Sequence, residues 1–329
     1  MDGGQLRRDF ERLAAISSPS GHEHRVRQVM VDELSALGFA CEIDDVGNVF
    51  GRRGSESVAW AINAHMDTVE PAGPVKVLEN DGWYRSDGTT ILGADDKAGL
   101  AIVLHLARLA ASAEASGQGL EVLLTVGEEE ALYGAHHAEI SKLDADFVLC
   151  LDGSGGPDNI VVGSPGMGWW DAHIEGRAAH AGVDPEAGRS AILAAAEALD
   201  RLPWGRVADD ATANVGKFIA DAGRNVVPDS ARLAGEVRSH RSEATTHMLN
   251  EIETVFQRVA YNHECSVAVD TSVVFEPYRL DPASPALRAA AKAIAAVGLQ
   301  PTHVVRGGGT DANVLNAAGK IAFNIGTGY

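Results

Sequence analysis

Apolar residues recur along this chain with two different periods, and the alternation of the two sketches the fold. Val26, Val29, Met30, Leu34 and Leu37 repeat at helical spacing, and Ser20 with Glu23 supplies a capping-box pattern ahead of them. Strand-like runs are expected near 40–51, 58–64, 120–126 and 147–152, with a strongly apolar helix near 96–110 between the second pair. Strands alternating with helices predict an α/β architecture, a mostly parallel sheet with helices on both faces.

The pattern changes after about residue 163. Trp170, Ala172 and Ile174 alternate as in a strand with one buried face. A helix near 189–201, strands near 212–219 and 231–239, and a helix carrying Met248, Ile252, Val255, Phe256 and Val259 follow, and the strand SVAVDTSVVF closes the set. This βαββαβ order predicts a ferredoxin-like α+β lid inserted into the first domain. The α/β pattern then returns. Ser284 and Pro285 open a helix, Gly298 ends it, another helix follows RGGGTD, and IAFNIG reads as a strand. The expected organisation is a first α/β part over 1–162, an inserted lid domain over 163–276 and a second α/β part over 277–329. The Ala/Ser/Gly-rich stretch near 110–119 reads as a helix end and loop.

Composition narrows the function. The 329 residues carry a formal charge of −19 with 45% hydrophobic residues, which suits a soluble globular protein and argues against nucleic acid or an anionic membrane as partner. No apolar run is long enough to span a bilayer, and MDGGQLRRDFERL lacks the apolar core of a secretory signal. Cys41, Cys150 and Cys265 are far apart with no CxxC spacing, so buried reduced thiols in a cytoplasmic protein are expected.

The chemistry gathers at the ends of the apolar runs. His65 closes AWAINAHMDT, Asp95 and Asp96 lie in LGADDKAGL, Glu128, Glu129 and Glu130 follow LEVLLTVG, and Asp152 follows FVLCLD. Ligands of open α/β sheets bind at the carboxyl ends of strands, and carboxylates gathered in one crevice call for a cation. A solvated strand end is the plain alternative for each acid taken alone. Glu130 and the histidines outside HMDT and GRAAHAG are read as ordinary surface or core residues.

HMDT at 65–68, GADDKAG at 93–99, TVGEEEALYGA at 125–135, LDG at 151–153 and GGGTDAN at 307–313 together resemble the M20 metallopeptidases, most closely the peptidase T-like tripeptidases. GRAAHAG at 176–182, NVVPD at 225–229 and GEVRSH at 235–240 extend the resemblance through the lid. It implies two divalent metals, most naturally zinc, with cobalt or manganese as alternatives. His65 and Asp152 would hold the first metal, Asp95 would bridge, and Glu129 would hold the second. Asp67 would orient His65, and Glu128 would be the general base. The Asp95–Asp96 peptide bond would be cis. His180, Arg238 and Asn225 would meet the substrate, a short peptide, and the lid would form a homodimer. In the family a further ligand histidine follows GTGY. The sequence ends at Tyr329, so the resemblance leaves the second metal with Asp95 and Glu129, through a shortened chain, an omitted tail or a natural loss. The implied activity is tripeptide aminopeptidase. The rivals are a carboxypeptidase or N-acyl-amino-acid deacylase on the same scaffold, and a catalytically impaired metal- or peptide-binding protein.

Overall fold

The computed structural model describes residues 3–54, 58–112 and 119–328. Residues 113–118 of the expected 110–119 loop, and Tyr329, lie outside the described residues. In chain order the elements are α1 (Gly3–Ala14), α2 (His24–Ala36), β1 (Ala40–Ile43), β2 (Val49–Arg53), β3 (Trp60–His65), β4 (Leu78–Asn80), β5 (Trp83–Arg85), α3 (Ala94–Ala111), β6 (Leu120–Thr125), α4 (Tyr133–His137), β7 (Phe147–Gly153) and β8 (Asn159–Ser164). There follow β9 (Gly166–Glu175), α5 (Ala191–Asp200), β10 (Gly205–Ala208), β11 (Ala211–Ile219), β12 (Ser230–Ser239), α6 (Ser242–Asn262) and β13 (Ser266–Phe275). The chain closes with β14 (Tyr278–Arg279), α7 (Pro285–Ala296), β15 (Thr302–Val305), α8 (Asp311–Ala317) and β16 (Ile321–Gly326). Two compact units result, residues 1–164 with 279–329, and residues 165–278.

The first unit is built on a sheet of order β1-β2-β6-β3-β7-β16-β8-β14, with β15 also paired to β8. Its centre, β6, β3, β7 and β16, is parallel, and antiparallel pairings flank it. Register divides the side chains between two faces. Ile62, Ala64, Val122 and Leu124 face α1, α2 and α3, whose Leu100, Val103, Leu104 and Ala107 form a stripe at helical spacing. Phe323 and Ile160, further along the sheet, face Leu287, Ala290 and Ile294 of α7. The opposite face carries Asn63, His65 and Thr125, and α8 packs there against β7 and β16. This is the α/β catalytic domain with helices on both faces that the sequence predicts.

Two expectations need correction. The run 40–51 is not one strand, because Asp44 caps a tight turn by accepting from the amides of Val46, Gly47 and Asn48, which folds β1 back onto β2. The Ser20–Glu23 pattern is not a capping box. Ser20 donates instead to Asp67, and Glu23 accepts from the amides of Gly21 and Gly127.

The second unit is an antiparallel sheet of order β10-β11-β12-β9-β13. Apart from the short edge strand β10, this is the ferredoxin-like arrangement. Trp170, Ala172 and Ile174 of β9 point into the core with Leu233 and Val237 of β12, against the alanine face of α5 and Leu249, Ile252, Phe256 and Val259 of α6. Alternate residues, Trp169 and Asp171 among them, point away. Among the described residues no helix is long and apolar enough to cross a membrane.

Trp170 lies 5.5 Å from the Trp204 ring and 5.8 Å from Phe256, fully buried. Trp170→Ala is expected to cost about 3–5 kcal/mol of lid stability. Trp169→Ala, one residue earlier on the open face, should cost no more than about 0.5 kcal/mol. Urea unfolding of both variants, followed by circular dichroism, checks the contrast.

Candidate metal centre

The site forms where three parallel strands end side by side. His65 is the last residue of β3, Glu128 and Glu129 follow β6, and Asp152 lies near the end of β7. Asp67, wholly buried two residues beyond His65, ties these ends together. Its Oδ1 lies 3.2 Å from His65 Nδ1 and accepts from the Glu128 amide at 3.0 Å. Its Oδ2 accepts from the Glu129 amide at 3.2 Å and from Ser20 Oγ at 2.7 Å. Nε2 of His65 then faces Asp95, with Asp95 Oδ1 at 2.9 Å. Ligand atoms of His65, Asp95 and Glu129 lie within 4.8 Å of one another. Asp152 is outside that trio, but its charge acts on His65, Asp96 and Glu128.

The start of α3 delivers Asp95. The Asp95–Asp96 peptide bond is cis, and both residues have non-helical backbone angles. Asp96 turns inward and caps the helix. Its Oδ1 accepts from the Gly99 amide at 3.0 Å, and its Oδ2 from the His65 amide at 3.3 Å. Glycine is required at 99, since a Cβ there would lie 2.3 Å from the Leu151 carbonyl and 2.3 Å from Asp96 Oδ1. That turn therefore lies close against β7, where the Asp152 charge acts on Asp96. Lys97, 1% exposed, donates to the Met66 carbonyl at 3.0 Å and to Ser18 Oγ. Burial lowers its pKa to about 8 against the pull of Asp67, Asp96 and Glu23.

The loop after β6 separates its two glutamates. Asn48 accepts from the Val126 amide and donates to the Gly134 carbonyl, and Glu23 holds the Gly127 amide. Ala131 and Leu132 adopt φ of 60° and 62°, a left-handed pair that turns the chain sharply back into α4. Glu128 is thereby buried and Glu129 reaches solvent.

Crowded acids shift one another. Burial, then Asp152, Asp311 and Glu129, push Glu128 well above the usual carboxylate range. Burial also raises Asp96, with Asp152 and Asp95 adding to it. Burial disfavours a charged His65, yet Asp67, Asp95, Glu128 and Asp152 together raise its pKa well above the ordinary value. One imidazole nitrogen among carboxylate oxygens, with an excess of negative charge at short range, is a donor set that fits zinc.

The remaining expected residues lie in the lid. His180 and Asn225 are exposed on adjoining loops, where the Ala181 amide donates to the Asn225 carbonyl at 2.8 Å and the Gly182 amide to His180 Nδ1 at 3.2 Å. Arg238 is on the face of β12 opposite the helices, ion-paired with Glu236 at 2.8 Å. Ser20, Asp96, Lys97 and Asp311 are site residues that the sequence reading did not assign. Asp96 and Lys97 stood inside the quoted GADDKAG, and Asp311 inside GGGTDAN, but no periodicity marks a buried polar side chain.

Comparison with known proteins identifies the family of the chain. Residues 162–264 match the profile of the peptidase dimerisation domain of M20 proteins, and residues 48–175 match that of peptidase family M28. A tripeptidase from Staphylococcus aureus superposes with a TM-score of 0.94 at 32% identity, covering 99% of this chain and 90% of that one. The aminopeptidase PepT from Bacillus cereus superposes with a TM-score of 0.89 at 31% identity, over 98% and 90%. Carboxypeptidase G2 from a Pseudomonas species is 31% identical across 71% of this chain and 57% of its own length. The chain belongs to the M20 metallopeptidases, in their peptidase T-like branch, and is by that membership a peptide hydrolase.

Two substitutions probe the scaffold. Ala131→Gly relieves a left-handed alanine and is expected to stabilise the chain by about 1 kcal/mol. Gly99→Ala should destabilise it by about 3 kcal/mol through the clash with the Leu151 carbonyl. Denaturant midpoints of the metal-free protein check both signs.

Proposed function

We propose that this chain hydrolyses the amide bond of short peptides as a tripeptide aminopeptidase. The observation that carries the proposal is the Asp67–His65 pair facing Asp95 and Glu129, with the buried Glu128 carboxyl acting on the same imidazole. His65 and Asp152 would hold one divalent ion, Glu129 a second, and Asp95 would serve both, with zinc the first choice and cobalt or manganese the alternatives. When bound, such a pair supplies an acidified water and a polarised scissile carbonyl.

The protein's own groups do the rest. Asp67 fixes the imidazole so that Nε2 is the ligand atom. Glu128, raised by burial and neighbouring acids, takes a proton from the attacking water and returns it to the leaving amine. His180 is assigned to the developing oxyanion, and Asn225 to substrate contact. The Arg238 guanidinium is assigned to the substrate carboxylate, which would compete with Glu236 for its fork. The dimerisation-domain match supports a homodimer formed through the lid. Three unpaired thiols suit a cytoplasmic setting.

Elemental analysis should find two metals per chain. A panel of free tripeptides, C-terminally blocked peptides and N-acyl amino acids then decides specificity. Cleavage of the tripeptides supports the proposal, while turnover of N-acyl substrates alone would move the chain to the deacylase or carboxypeptidase reading that the carboxypeptidase G2 relative represents. Glu128→Gln should lower kcat by about 10²–10⁴ with metal content kept.

A further inference from the structure

The start of α8 reaches β3, β6 and β7, the three strands whose ends carry proposed metal-site residues, although none of its own side chains belongs to the proposed ligand set. Asp311, 2% exposed, is the first residue of that helix. Its Oδ2 accepts from Asn63 Nδ2 of β3 at 3.0 Å and from Thr125 Oγ1 of β6. In the parallel register of these strands His65 pairs with Thr125 and Asn63 with Leu123, so Asn63, His65 and Thr125 share one sheet face. Asp311 therefore grips both strands on the face from which His65 projects, two residues before His65 and three before Glu128. The preceding Thr310 donates to Asn324 Oδ1 at 3.3 Å, and Asn324 Nδ2 donates to the Asp152 carbonyl at 2.7 Å. The same turn thus reaches β16 and β7 as well.

We propose that Asp311 is a positioning residue, whose two accepted hydrogen bonds clasp the ends of β3 and β6 and so set His65 against the Glu128–Glu129 pair. The inference rests on the metal-centre reading given above. The clasp acts by hydrogen bonding, not by charge. Oδ1 of Asp311 is buried and has no hydrogen-bond partner among the described residues. An asparagine can leave its carbonyl oxygen where Oδ2 sits, keep both donors satisfied, and place its amide nitrogen where Oδ1 was. Alanine would leave the Asn63 amide and the Thr125 hydroxyl only their longer bonds to the Leu123 and Ala64 carbonyls, at 3.3 and 3.4 Å.

The test is a cobalt titration of the full chain and of Asp311→Ala, Asp311→Asn and Thr125→Val, read by the visible absorption of bound Co²⁺, with thermal unfolding of the metal-free proteins alongside. Asp311→Ala is expected to weaken Co²⁺ binding about tenfold or more and to change the absorption band. Asp311→Asn should return affinity to within about threefold and restore the band, and Thr125→Val, nearly unchanged in shape, should fall between the two. A purely structural residue would lower the unfolding temperature without moving the band. Parental affinity and band in Asp311→Ala overturn the clasp, as does an Asp311→Asn as impaired as alanine. If Asp311→Ala does not fold, Asp311→Asn and Thr125→Val decide by the same readings. Unchanged variants in a chain that binds cobalt and cleaves peptides sink the clasp alone. A folded parent that binds no cobalt sinks the metal-centre reading and the clasp with it.

Discussion

The Asp67 carboxylate takes hydrogen bonds from three separate segments of chain, namely Ser20, His65 and the amides of Glu128 and Glu129. Burial alone would push such a carboxyl up. The hydrogen bond and positive charge of His65, then the hydrogen bonds of Ser20 and the Glu128 amide, outweigh it and bring the pKa to about 2. Asp67 is therefore an anion under any ordinary condition, and an anion without solvent needs all of its donors. That requirement fixes the aim of the imidazole and the course of the loop after β6. It also fixes the course of the chain before α2, where Ser20 and Glu23 are drawn away from a simple helix cap.

The surroundings of Asp67 extend the same logic. Lys97 is the buried ammonium beside it, and it spends its donors on Ser18 and the Met66 carbonyl, immediately before Asp67 in sequence. Asp96 faces the other way and holds the backbone of His65 while capping α3. Adjacent residues in one short turn thus perform opposite tasks, Asp95 outward beside His65 Nε2 and Asp96 inward to the backbone. The glutamates after β6 divide in the same manner, through a left-handed pair at Ala131 and Leu132. In both places the backbone, not the side-chain identity, decides which carboxyl can reach a ligand.

Much of this was legible beforehand. Continuous apolar runs located β3, β6, β7 and α3, and period-two and helical stripes located the lid, because buried strands, half-buried strands and amphipathic helices each write their packing into the chain. His65, the Glu128–Glu129 pair and Asp152 were legible as candidates because each follows an apolar run, and Asp95 through the motif around it. What escaped was polar and buried. Asp311, Asp96 and Lys97 act through hydrogen bonds to residues 31 to 248 positions away, which no local pattern encodes. The β1–β2 turn escaped because one side chain, Asp44, makes it by collecting three amides. The short β4, β5, β10 and β15 escaped because three or four residues carry too little alternation to register.

The crowded carboxyls also decide how the site behaves toward protons. Glu128, Glu129 and Asp96 are all raised, chiefly by burial and also by nearby acids. Raised carboxyls retain protons that a divalent ion would displace, so metal and proton compete for the same negative charge. His65 enters the competition from the other side. Its raised pKa in a site filled only by protein means that it must give up a proton before Nε2 can bind a cation. Asp67, lowered by His65, Ser20 and the Glu128 amide, keeps Nδ1 engaged. A site built this way gains metal affinity as pH rises and keeps its geometry while it does so, because the groups that titrate are distinct from the group that holds them in place.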